Sequence, residues 1–153
     1  MSLSFFVAEM ECPVCHTVSP ATNETDMQNQ LGTEPWTRFG VGDEVPSTDE
    51  DLVASYVRVR PNRDGEPTRL LQFWRCSSCG NDNWAEIEVV EARVRTIAPV
   101  APERRSLARV QWVHELHSEE LFLTVDVSDL FDSDEPRPEA WEALARNADL
   151  DPR

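Results

Sequence analysis

Apolar and polar positions alternate along several stretches of the chain, and the alternation predicts strands. Leu3 to Met10 is rich in Phe and Val, alternates in part and leads directly to Cys12. In Val53 to Arg60, Val53, Ser55, Val57 and Val59 fall on one face and Tyr56, Arg58 and Arg60 on the other. Pro61 to Pro67 then carries the turn signal Asp64-Gly65. Thr68 to Arg75 returns as a second strand, with Leu71 and Phe73 opposed to Leu70 and Trp74. Trp84 to Thr96 reads as one long strand, with Ala85, Ile87 and Val89 on the face opposite Glu86 and Glu88. Strand, hairpin and strand in this order predict an antiparallel meander.

The pattern weakens elsewhere. Ser19 to Ser47 is polar, with Pro20, Pro35, Pro46, Gly32, Gly40 and Gly42, and reads as a long loop. Trp36, Phe39, Val41 and Val45 are the residues expected to pin it to a core. So long a loop is uncommon without a purpose, which also makes Trp36 and Phe39 candidate partner-binding residues. Pro99-Val100-Ala101-Pro102 marks a boundary. Beyond it Leu107, Val110, Val113 and Leu116 recur at helical spacing, so Ser106 to Leu116 reads as a helix, with an alternating strand as the competitor. Leu121 to Val127 looks like a buried strand. Glu139 to Asn147 looks like a terminal helix with Pro138 at its start. The expectation is an α+β fold, mainly antiparallel β. It comprises a first unit over residues 1–98, with an insert at about 19–50, and a C-terminal extension over 99–153 packed on it.

Four cysteines change the picture from strands to chemistry. They form two pairs, Cys12-Pro13-Val14-Cys15 and Cys76-Ser77-Ser78-Cys79, and the chain has no others. Tetrahedral zinc is held by four thiolates, and a two-residue spacer lets each turn present two sulfurs from one side while its amides donate to them. Two disulfides or a redox-active pair are the alternatives. A reducing compartment disfavours the first, and the missing helix after either pair disfavours the second. Iron also suits four thiolates.

These residues resemble the zinc ribbon group. Cys12-Pro13-Val14-Cys15 and Trp74-Arg75-Cys76-Ser77-Ser78-Cys79-Gly80 look like the two ribbon knuckles, each fed by a strand. The resemblance covers roughly residues 4–96 and implies one structural zinc ion on Cys12, Cys15, Cys76 and Cys79. His16 stands where Gly commonly follows the first knuckle, and it is a candidate to support or replace a cysteine.

Charge narrows the class of partner. The chain carries 29 acidic against 14 basic residues, a net charge of -15. Nucleic acid is a polyanion and needs a basic patch, so it is disfavoured as a partner. A nucleic-acid-binding ribbon would require the arginines of residues 53–75 to share an exposed face beside aromatics. Every basic residue is arginine, which removes Schiff-base, lysine-nucleophile and P-loop chemistry. No run of apolar residues is long enough for a membrane helix, and the N-terminus meets Glu9 and Glu11 too soon for a signal peptide, so a cytoplasmic protein is expected.

Two further clusters compete for a role. His114-Glu115-Leu116-His117 spaces its histidines three apart, whereas the metalloprotease pattern needs four, so a hydrolase using His114 and His117 is the minor alternative. Asp126, Asp129, Asp132, Asp134 and Glu135 form an acidic run without the glycine of a calcium loop. Asp132, Asp134 and Glu135 are therefore candidate partner-binding residues. The expected function is a non-catalytic, zinc-binding interaction module that meets a basic protein through its acidic surface. An acidic inhibitor, immunity protein or nucleic-acid mimic that blocks a basic enzyme is the alternative.

Overall fold

The computed structural model of the protein describes residues 3–118 and residue 121. Within them a five-stranded sheet carries the fold. It consists of β6 (Tyr56–Arg58), β7 (Thr68–Arg75), β8 (Asp82–Val90), β9 (Arg93–Val100) and β10 (Trp112–His114), in the order β6-β10-β7-β8-β9. β7 and β8 form the expected hairpin over eight residue pairs, from Thr68↔Val89 to Arg75↔Asp82. The second knuckle is its tip.

Several elements depart from the sequence reading. Trp84 to Thr96 is not one strand: it folds back at Glu91-Ala92, where both residues take left-handed backbone angles (φ 51° and 63°). A two-residue hairpin turn of type I′ has positive φ at both positions, and Asn-Gly is its usual signal. Glu-Ala carries no such signal. Here the turn is gripped from outside, because the Val45 amide donates to the Ala92 carbonyl (2.8 Å) and the Gly42 amide to that of Val94 (2.7 Å).

The expected helix at Ser106 to Leu116 is half right. α2 (Arg104–Arg109) is followed by strand β10. Leu107, Val110 and Val113 are buried, but Leu116, the fourth residue of the supposed stripe, is 66% exposed. Val113 owes its burial to a strand instead. β10 slots between β6, antiparallel, and β7, parallel. The expected β6–β7 hairpin is therefore absent. Filling that slot satisfies the backbone edges of both neighbours, a gain that outweighs helical spacing over two turns. Among the described residues, then, the chain on both sides of the boundary expected at residue 98 contributes to one sheet. β9 runs through Pro99, which its place at the sheet edge tolerates, and β10 lies inside the sheet.

The insert is not a plain loop either. β4 (Gln28–Asn29) and β5 (Arg38–Phe39) flank β1 (Ser4–Phe6) in a second sheet, order β4-β1-β5, antiparallel on one side and parallel on the other. Two-residue strands are too short to leave a period in the sequence. The first segment, expected as one strand over Leu3 to Met10, breaks after Phe6. It resumes as β2 (Met10–Glu11), which pairs with β3 (Val18–Ser19). The first knuckle is the tip of that small hairpin.

The large sheet is covered on both faces. Tyr56, Leu70, Trp74, Ala85, Ile87, Val89 and Trp112 meet Phe6, Met10, Met27, Leu31, Phe39 and Val45 of the small sheet and insert. On the far face Val59, Leu71, Phe73, Trp84 and Val113 meet Leu107, Val110 and Leu121. Trp74 and Trp112, at most 1% exposed, anchor the first core, each removing roughly 150–250 Å² from water. The strand expected at Leu121–Val127, apart from Leu121, and the helix expected at Glu139–Asn147 lie outside the described residues. So do Asp126, Asp129, Asp132, Asp134 and Glu135.

Candidate metal centre

Each pair of cysteines sits in a tight turn built by the same hydrogen bonds. In the first, the Cys12 amide donates to the Thr17 carbonyl (3.0 Å) and the His16 amide to the Cys12 carbonyl (2.9 Å). In the second, the Cys76 amide donates to the Asn81 carbonyl (3.0 Å) and the Gly80 amide to the Cys76 carbonyl (3.0 Å). His16 and Gly80 occupy equivalent positions, and both are left-handed, with φ of 62° and 75°. Glycine is at home there; histidine is one of the few side-chain-bearing residues enriched there. The histidine that departs from the ribbon pattern thus keeps the pattern's backbone.

The two turns face one another across the β2–β3 and β7–β8 tips. Cys12 Sγ lies 3.7 Å from Cys79 Sγ, and Cys15 Sγ lies 3.6 Å from Cys76 Sγ. The four sulfurs all lie within 4.8 Å of one another. A tetrahedral ion with bonds of about 2.3 Å to sulfur spaces its ligands about 3.8 Å apart, so the donor set fits one metal ion. None of the four is in a disulfide. Among the described residues this is the one cluster of histidines, cysteines and carboxylates with a metal-binding arrangement.

Backbone amides supply the surrounding polarity. The amide of Val14 points at Cys12 Sγ, and those of Ser78 and Cys79 point at Cys76 Sγ, each at 3.4 Å. Asn83 Nδ2 approaches Cys12 Sγ at 3.9 Å. Ser19, fully buried, ties the two turns together: its Oγ accepts from the Ser77 amide (3.2 Å) and the Ser77 hydroxyl (2.9 Å). Sequence reasoning missed Ser19 and Asn83. A serine after a turn and an asparagine opening a strand carry no signal until the chain brings them to the sulfurs.

The thiols respond to this crowding unequally. The amide of Cys79, with that of Ser78, pulls the Cys76 thiol down to about 6. Hydrogen bonds from Thr17 hold Cys15 below the ordinary thiol range. Cys79 moves the other way. The Asn81 amide lowers it, yet burial and the sulfurs of Cys15, Cys12 and Cys76 together push it up to about 12. Four thiolates cannot share so small a space as bare anions. A cation at their centre removes the conflict and displaces the protons.

The other candidates lie elsewhere. Trp36 is 61% exposed and stacks on Phe5, with ring centroids 5.7 Å apart. Its φ of 64° is rare for so bulky a residue. Phe39 is 6% exposed and packs on Phe6, so it belongs to the core; Val45 joins it there, whereas Val41 stays exposed. His114 is 2% exposed on β10; its Nε2 lies 2.9 Å from the Gln28 carbonyl and its ring is edge-on to Tyr56. A cavity of about 90 Å³ beside it is far below the roughly 300 Å³ at which small-molecule sites begin. The side chain of His117 is outside the described residues.

Four arginines of residues 53–75 are held in ion pairs with carboxylates. Arg58 pairs with Asp49, Arg60 with Glu66, Arg69 with Glu86 and Glu88, and Arg75 with Asp82. Comparison with protein families, with curated proteins and with solved structures returns no match to this chain, so the functional reading rests on the geometry above.

Proposed function

We propose that Cys12, Cys15, Cys76 and Cys79 hold one structural zinc ion, and that the zinc-clamped protein is a non-catalytic module that binds a basic protein partner. The sulfur geometry carries the first half. Four thiolates at tetrahedral spacing match zinc, and a shell closed by four protein ligands leaves no position for a reacting water. Such an ion contributes folding energy, because it joins hairpins about sixty residues apart in the chain.

Charge supports the second half. The acidic excess is concentrated toward the C-terminus, where residues 119–153 hold eleven Asp and Glu against three Arg. In the described part the arginines of residues 53–75 named above already face carboxylates, which leaves the remaining acids to set the field. Such a field steers a cationic partner and repels nucleic acid.

Elemental analysis of the purified protein tests the metal, with about one zinc per chain expected. A folded chain free of metal would end the reading. Affinity capture from the native cell with mass spectrometry tests the partner. A basic protein recovered at low salt and lost at high salt is the expected result; a nuclease or toxin among the captured proteins would single out the inhibitor role.

A further inference from the structure

We propose that the insert between the knuckles builds a groove that receives an arginine side chain of the basic partner. This inference rests on the reading of a basic partner given above and assigns it a place.

A groove of about 430 Å³ runs between the small sheet and α1 (Asp49–Leu52), with Ala92 of the β8–β9 turn also lining it. Its floor is apolar: Leu31, Phe39 and Val45 line it and are 5%, 6% and 1% exposed. Its walls are hydroxyls and acids, including Thr37, Glu44 and Asp51, and none of its lining residues is basic. The volume matches a single long side chain with its neighbours and lies within the range of built ligand sites.

The two carboxylates are available in different ways. The Glu44 side chain is 74% exposed and is held by Arg93 only in a long ion pair at 3.9 Å through Oε2. Arg93 also donates to the Gly42 carbonyl at 3.2 Å. Asp51 gives Oδ2 to the Thr48 amide and hydroxyl at the start of α1, which leaves Oδ1 for another donor. An apolar floor beside acidic walls suits arginine in particular. Its methylene stem covers the floor while its planar fork meets a carboxylate of the wall. Phe39 then contributes to partner binding from below, as part of the floor.

The probe is leucyl-arginyl-leucine, blocked at both ends, titrated into the full-length protein as purified and followed by amide chemical shifts. Saturable shifts confined to residues 31–51 and Ala92 are expected. The citrulline counterpart, which keeps the shape and loses the charge, should bind roughly tenfold more weakly or worse. Glu44→Arg should weaken the arginine peptide by about the same factor without moving the thermal transition, since Glu44 is exposed. Equal binding of the citrulline peptide, shifts scattered over the acidic surface, or indifference to Glu44→Arg would each overturn the groove. The parent reading stands or falls separately: a basic protein captured by a chain whose groove ignores arginine sinks only the groove, whereas capture of no basic protein sinks the parent reading.

Discussion

The two faces of the five-stranded sheet are held down by different physics. On one face lies the small sheet, whose strands of two or three residues cannot sustain themselves; the sulfur cluster beside it joins the first knuckle to the second. On the other face α2 and the loop before β7 are fastened by charge. Glu66 takes Arg60 in two bonds (2.8 and 2.7 Å) and the Gln111 side chain at 2.7 Å. Gln111 Oε1 accepts from the Arg69 amide at 2.6 Å. Glu86 takes Arg109 in two bonds (2.9 and 3.0 Å), with Arg69 at 3.5 Å. Where strands are too short to close the structure, soft ligands converge; where strands are long, ion pairs only cover their outer face.

The comparison breaks most visibly at the sulfurs. Cys76→Ser, or chelation of the native protein, should abolish metal binding and expose the small sheet. Hydrogen exchange should show loss of protection at β1, β4 and β5 well before β7 and β8, since structural zinc in small modules is worth of order 10 kcal/mol. Uniform loss, or none, would contradict the division into two faces.

Glu66→Gln should cost about 2 kcal/mol in chemical denaturation, because buried Arg60 loses its partner. The pH dependence separates the faces as well. Arg60, foremost, holds the Glu66 carboxyl down to about 2. A carboxylate so depressed adds stability that is full above the ordinary value near 4.5 and is lost as pH falls through about 2. With solvent screening the loss is of order 1–2 kcal/mol. Protons compete with a metal for all four thiolates, so metal should be lost at a higher pH than the Glu66 ion pair. Acid titration should release metal first and weaken the charged face second; simultaneous transitions would argue for one cooperative clamp.

Ser19→Ala should cost about 1–2 kcal/mol by leaving the Ser77 amide and hydroxyl without their acceptor, with metal still bound. His16→Gly gives the smallest effect, a gain of about 0.5–1 kcal/mol as left-handed strain is relieved. A loss there, read by thermal melting, would mean that the imidazole itself supports the first knuckle.

Much of this was written locally in the chain. The β7–β8 hairpin, with Leu70 and Trp74 on one face and Leu71 and Phe73 on the other, follows from period two. The two knuckles follow from cysteine spacing, because neighbouring residues alone decide whether a tight turn can present two sulfurs. What the chain did not announce was decided at a distance. Glu91-Ala92 turns because Gly42 and Val45 grip it. Trp112–His114 is a strand because β6 and β7 leave a slot between them. The insert is a sheet edge and a groove because Phe39 and Val45 find a core contributed by other strands. Periodicity records which side of an element is buried. Only the assembled structure decides against what, since that choice depends on backbone edges and apolar surfaces that no local window contains.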